Sequence, residues 1–272
     1  MYEEPYRWVE AVGNRRSYLD EQFKQGSPVV ALSYEAGILL ATVSKGTPKL
    51  YEIYDRIALG GMGHPADLEK LRFSLLEMAH TEGFNRSPSD VTGSRLVKYG
   101  VAPVIKQAFE EVYKAPFILK ILLAELGQKP AKDALLTVNY DGTFEETAGC
   151  AVLAATTAVQ KEMLSYLRQE GKSPLTLSEA LALALRGWAL GERAQRYASD
   201  QKDKDHAEPS GVNFTGTEAA ALSTHFVEGA AEKTIECAVL DRGQTGSSKY
   251  RLLSADDLDR LLPADLKPAL SR

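Results

Sequence analysis

Cysteine is nearly absent. Cys150 and Cys237 are the two in 272 residues, too few for a disulfide framework, and both sit in apolar, strand-like runs that read as buried thiols. Histidine is almost as sparse. His64, His80, His206 and His225 are scattered with no two spaced i,i+4, so they read as surface or packed residues and no metal site is expected. The sequence contains no phosphate loop, no GxGxxG turn and no nucleophile elbow, and no cofactor is expected either. No run approaches the ~18 apolar residues of a membrane span. A basic excess is missing too: Lys+Arg number 32 against Asp+Glu 37, a formal net charge of −5, which argues against nucleic acid as a partner. The opening MYEEPYRW has neither the basic start nor the apolar core of a secretory leader, so the expected compartment is the cytoplasm.

What is present is an ordinary globular composition, 44% hydrophobic and 25% charged, in a chain long enough for one large domain or two small ones. Nothing resembles a linker, so 1–272 reads as a single domain. Residues 15–25 form a short polar helix closed by Gly26. Strand runs at 29–34 and 38–43 are joined by a Gly37 hairpin turn, and more strand follows at 50–59, broken at Asp55-Arg56. The period then changes from two to nearly four. Leu68, Leu71, Leu75 and Met78 share one helical face behind Pro65. A second helix is expected from the Ser87 cap, with Val97, Val101, Val104, Ala108 and Val112 inward and a bend at Gly100–Pro103. Strands return at 117–126, 134–140 and 150–155. Two helices follow, 157–168 with Thr157 and Gln160 as its capping pair, and 176–197 with a Thr176/Glu179 box and Leu181, Leu185 and Trp188 inward. Strands at 234–240 and 250–253 and a helix at 255–262 complete the chain. The charged stretch within 200–216 reads as an exposed loop, and 263–272, with Pro263 and Pro268, as a flexible tail. Strand blocks separated by helix pairs suit an α+β fold of two stacked antiparallel sheets with helices on their outer faces.

Particular strings say more. GSPVVALSYEAGILLATVSKG, then PKLYEIYDRIALGGMGHPADLEKLRFSLLEMA, then SPSDVTGSRLVKYGVAPVIKQAFEEV, resemble the 20S proteasome family in order, spacing and character. Within that family the chain looks like an α-type subunit of the actinobacterial kind. The opening helix, Tyr54-Asp55-Arg56, the Gly60–Gly63 turn, the DVTG at 90–93 and the YDG at 140–142 carry the likeness over roughly residues 15–200 and the last strands. The resemblance implies a four-layer αββα sandwich, the Ntn-hydrolase fold. It also implies a heptameric ring stacked on β-type subunits in a particle for protein degradation, with gating and docking of a regulatory ATPase's C-terminal tails.

In catalytic members of that fold an N-terminal Thr, Ser or Cys is the nucleophile and its free amine the base. The resemblance aligns that slot with Ser27, the acidic partner with Val43 and the essential lysine with Lys49. Ser27 is followed by Pro28 and preceded by 26 residues, several of them helical, and the acid is a valine; a serine hydroxyl with no nearby base is a poor nucleophile. No catalytic residue is therefore expected, and a stand-alone amidohydrolase released by cleavage at Gly26–Ser27 is the alternative. In α-type relatives a lysine at the Lys49 position holds an activator's terminal carboxylate beside a wall glycine, here Gly63, whose missing side chain lets the tail approach. The glutamate that pairs with that lysine across subunits falls near Ser17, so Asp20 or Glu21 would substitute. Residues 1–26 would supply the gate and opening helix, with Tyr6-Arg7 standing in for an incomplete Tyr-Asp-Arg gate motif.

Overall fold

Short connections turn the strand signals into local antiparallel pairs. The computed structural model describes residues 5–111, 113–171, 174–202 and 218–269. In it β1 (Val29–Tyr34) and β2 (Gly37–Ser44) pair with Val29 opposite Thr42 and Tyr34 opposite Gly37. The second sheet opens with β3 (Leu50–Tyr54) and β4 (Ile57–Gly63) and continues through β5 (Leu119–Glu125), β6 (Ala134–Val138) and β7 (Phe144–Thr147) in that spatial order. β8 (Cys150–Leu153) crosses back to pair with β1, while β9 (Thr234–Asp241) pairs with β2 and carries the edge strand β10 (Tyr250–Leu252). The first sheet is thus ordered β10-β9-β2-β1-β8, and β2 is buried at every position, as a central strand covered on both faces must be.

Helices other than the first close the outer faces. In chain order the helices are α1 (Pro5–Phe23), α2 (Pro65–Asn85), α3 (Gly93–Arg95), α4 (Ala102–Glu110), α5 (Thr157–Glu170), α6 (Leu177–Lys202), α7 (Ala219–Gly229) and α8 (Ala255–Leu261). Three apolar cores follow from that layering. One joins Leu39, Ala41 and Val43 of the first sheet to Met163, Leu181, Leu185, Trp188 and Phe226 of the helices. A second lies between the sheets, where Leu40, Ala58 and Leu122 meet, and takes in Leu19 and Phe23 of α1. The third packs Leu59, Ile121 and Leu123 beneath Leu68, Leu71, Leu75 and Val97. The expected αββα sandwich is the architecture found, and both cysteines are free and buried within it.

Several local expectations need correction. The opening helix begins at Pro5, not residue 15, and takes in much of the segment assigned to a gate. Arg15 holds it down, its guanidinium donating to the carbonyls of Ala108 and Phe109 at 2.9 Å at the end of α4. Ser87 caps only a 3-10 turn at Pro88–Asp90; the helix proper restarts at Thr92, whose hydroxyl accepts from the Arg95 N–H at 3.3 Å. In place of a bend at Gly100–Pro103 there is a π-helical stretch, Leu96–Val101, in which the Ala102 N–H reaches the Val97 carbonyl. One extra residue in that turn advances the inward face by one position. Ile105 and Phe109 are therefore buried where Val104 and Ala108 were expected, and Val104 is exposed. Val112 lies outside the described residues.

The cap of α5 is Thr156 rather than Thr157, its hydroxyl accepting from the Val159 N–H at 3.3 Å. The Thr176/Glu179 box forms as expected, Glu179 accepting from the Thr176 N–H at 2.9 Å. α6 runs on through Asp200–Lys202, so the start of the expected 200–216 loop is helical, and 203–216 lies outside the described residues. α7 was not expected at all. Residues 263–269, assigned to a flexible tail, fold back with Leu266 and Ala269 buried, and Asp265 accepts from Ser223 (2.6 Å) and Arg186 (2.8 Å); 270–272 lie outside the described residues.

Candidate functional site

Antiparallel pairing puts the start of one strand beside the end of the next, and that rule assembles the site. Ser27 precedes β1, Val43 lies near the end of β2, Lys49 precedes β3 and Gly63 ends β4. All four line one cleft of about 630 Å³ at one end of the sandwich, with Trp188 and Gln195 of α6 on its wall. The Gly61 N–H donates to the Lys49 carbonyl at 2.9 Å, which ties the second pair of strands together there.

At the nucleophile slot the chain is continuous and tightly packed. The Trp188 indole N–H donates to Ser27 Oγ at 2.9 Å, so the hydroxyl faces a donor instead of a base. Gln195 clamps the preceding peptide: its Nε2 donates to the Gly26 carbonyl at 2.8 Å while its Oε1 accepts from the Ala155 N–H at 3.0 Å. Val43, where a carboxylate would sit in a catalytic site, is fully buried in the first core. Beside it the Thr42 hydroxyl donates to the Pro28 carbonyl at 2.7 Å. These contacts leave Ser27 a hydrogen-bonded wall residue.

The cleft is instead a concentration of positive charge. Burial pushes the Lys49 ammonium down to about 8; Glu236 opposes that shift, and Lys233 and Lys45 add to it. Glu236, on β9, accepts from the Lys49 backbone N–H at 2.8 Å through Oε2, while its Oε1 is buried with no hydrogen-bond partner among the described residues. Lys233 is also held below the usual lysine range by burial, with Arg196 and Lys45 adding and Glu192 opposing. Burial would raise the Glu192 carboxyl, yet His225, 2.7 Å away, and Arg196 hold it below the ordinary carboxylate value.

Gly63 lines the cleft, but the backbone alone accounts for its glycine. Its φ is +135°, and a Cβ there would meet the Ile118 carbonyl oxygen at 2.0 Å. Of the two acids that could pair with Lys49 across a ring, Asp20 accepts from its own chain's Tyr140 hydroxyl at 2.8 Å, whereas Glu21 is exposed beside Lys24. The gate residues Tyr6 and Arg7 fall in α1, with Arg7 exposed; residues 1–4 lie outside the described residues. No group of His, Cys, Asp and Glu suited to a metal occurs among the described residues, and no described helix is long and apolar enough to cross a membrane.

Lys120 escaped the sequence reading, because it sits inside the apolar run of β5 where lysine is out of pattern. Its side chain is buried between the sheets. Nζ donates to the carbonyls of Ala154 and Ala155, both at 2.9 Å, and lies over the rings of Phe23 (4.8 Å) and Tyr140 (5.6 Å). Burial lowers its ammonium to about 8, partly offset by Asp20 and Asp141. A lone Lys in an otherwise apolar strand was the available signal.

Comparison with known proteins follows the same lines. Residues 23–202 match the family model described as Proteasome subunit. A protein named Proteasome subunit alpha from Streptomyces scabiei is 26% identical over 258 residues, covering 94% of this chain and 90% of the relative. Proteins of the same name from Thermobifida fusca and Xylanimonas cellulosilytica are 29% identical over 190 residues and 31% over 177. Those alignments cover 68% and 63% of this chain, and 74% and 69% of the relatives.

Proposed function

Because this chain belongs to the proteasome subunit family and is an α-type member of it, we propose that it works as a non-catalytic ring subunit. It forms a seven-membered outer ring on β-type subunits that carry the proteolysis, in the cytoplasm, and the ring controls substrate entry. The observation that carries this reading is the Ser27 slot. The serine is mid-chain, its hydroxyl is occupied by the Trp188 indole, and the acid position is a buried valine. α1 also supports it. Removing residues 1–26 would strip Leu19 and Phe23, both fully buried, out of the central core, so α1 is a structural element rather than a disposable leader.

Lys49 gives the second half of the proposal. A half-buried ammonium on the wall of an open cleft is suited to a terminal carboxylate, and docking of a regulatory ATPase's C-terminal tail there would open the ring. Gly63 lies on the same wall, and Glu21, exposed and among the described residues paired only with its neighbour Lys24, is the acid that would reach across to a neighbouring subunit. The start of α1, with Tyr6 and Arg7, would contribute to the gate.

The test is native mass spectrometry of the purified chain, alone and with its β-type partner. The expected result is an intact 272-residue mass in ring-sized assemblies with β subunits, and no peptidase activity from this chain alone. Loss of residues 1–26, with activity abolished by Ser27→Ala, would establish the amidohydrolase alternative instead. A chain that stays monomeric with every β subunit tried would defeat the ring assignment.

A further inference from the structure

We propose that the Lys49 cleft selects a peptide C-terminus carrying at least one acidic side chain beside its terminal carboxylate, and that Lys45 and Lys233 are the selecting residues. This rests on the tail-docking reading above and names the chemistry of the tail.

Charge complementarity points to such a tail. Among the described residues, five cationic side chains line the cleft, Lys24, Lys45, Lys49, Arg196 and Lys233, against one carboxylate, Glu192. Two of the five are answered within the chain: Lys24 pairs with Glu21, and Arg196 with Glu192. Glu192 is committed further to His225. Three ammonium groups remain, and among the described residues Glu236 stands beside them, accepting from the Lys49 backbone N–H through Oε2 and offsetting one of the three, which leaves an excess of two positive charges. Lys45 is exposed on the β2–β3 turn with no ion pair among the described residues. Lys233 donates to the Gly229 carbonyl at 2.6 Å, at the end of α7, and has no ion pair among the described residues. Beyond burial, the largest cause at both groups, Lys233 and Lys45 lower the proton affinity of Lys49 and Lys45 lowers that of Lys233, as like charges around a shared, partly buried space do.

Glu236 offsets one of these three groups, so a single terminal carboxylate would still leave one ammonium unanswered. A tail with a second negative charge answers that one too. The volume agrees, since about 630 Å³ is far more than a carboxylate needs and lies in the range of pockets that enclose a whole small ligand. Pro65, Val43 and Trp188 give the cleft an apolar side as well, which a free phosphate would not use and a peptide would.

The experiment uses the assembled particle and fluorescent peptides ending in a free carboxylate. One carries glutamate near its C-terminus and the other glutamine at the same place. Binding is followed by anisotropy across a salt series. The expected result is roughly tenfold tighter binding of the glutamate peptide at low salt, shrinking as salt rises. Lys45→Gln and Lys233→Gln should each reduce that preference, and the double variant should abolish it while the glutamine peptide still binds. Lys49→Ala should weaken both peptides together. Equal affinities in the wild type, or a preference untouched in the double variant, would overturn the proposal. Displacement of both peptides alike by millimolar inorganic phosphate would also overturn it, since the cleft would then read charge alone. If neither peptide binds the wild-type particle, the docking reading itself fails; binding without discrimination sinks only this inference.

Discussion

Lys120 offers the sharpest test of the packing argument. Truncation by Lys120→Ala removes a buried ammonium and leaves the Ala154 and Ala155 carbonyls without their donor. Each unsatisfied buried acceptor costs about 1–3 kcal/mol, and the lost side chain leaves a space between Phe23, Tyr140 and the sheets. The expected destabilisation is about 3–5 kcal/mol. Lys120→Met keeps the bulk and no longer has to bury a charge, so it should cost less, on the order of 1–2 kcal/mol.

The pH dependence separates a buried ammonium from mere bulk. In the folded chain the Lys120 ammonium is lowered to about 8, against ~10.4 for an unperturbed lysine. Between those values the unfolded chain holds a proton that the folded chain has released, so stability rises with pH across that window. Lys49, also lowered to about 8, contributes with the same sign. Tyr34, Tyr140 and Tyr250, all pushed up chiefly by burial, turn the slope downward once tyrosines in the unfolded chain ionise. Urea unfolding at pH 7, 8 and 9, followed by tryptophan fluorescence, should show a rise in the wild type and a shallower one in Lys120→Met. A rise of undiminished steepness in Lys120→Met would refute the buried-charge argument. So would a Lys120→Ala cost below about 1 kcal/mol, the range of an exposed ion pair.

Lys49→Ala should leave particles intact and weaken an activator's C-terminal peptide by about 2–5 kcal/mol, thirtyfold or more in Kd by anisotropy. Lys49→Arg should restore little, because a planar guanidinium needs more room than an ammonium. Gly63→Ala should destabilise the chain by at least about 2 kcal/mol through the strained φ and the Ile118 carbonyl, measured by urea unfolding. Glycine at 63 being replaceable without a stability cost would restore the view that it serves the incoming tail.

How much was legible in the sequence depended on how local the cause was. Hairpin turns, the Thr176/Glu179 box, the α2 face and the Leu181, Leu185 and Trp188 stripe are written in spacings of two to four residues, and each formed as read. Element order then constrained the layering, since strand blocks interrupted by helix pairs bury their faces best as an αββα sandwich. The boundaries of the second helix were less legible. Ser87 and Thr92 are both good caps, and the π turn that resolves the Gly100–Pro103 problem shifts the buried face onto Ile105 and Phe109. α7 went unread because Leu222 and Phe226 were its main signal, and they make a helix only against Trp188 and the first core.

At the site the division is the same. Resemblance to a family picked out Ser27, Val43, Lys49 and Gly63 one by one, and strand pairing put them on one cleft. Only the tertiary structure decided what surrounds them. Trp188 reaches Ser27 from 161 residues along the chain, and Glu236 reaches the Lys49 backbone from 187. Lys233 and Lys45 meet Lys49 because β9 pairs with β2 and places their ends together. Likewise β5 and α1 bring Lys120 over Phe23. Charge and burial depend on through-space distance, which no one-dimensional spacing records, and so the chain's electrostatics were settled by its topology.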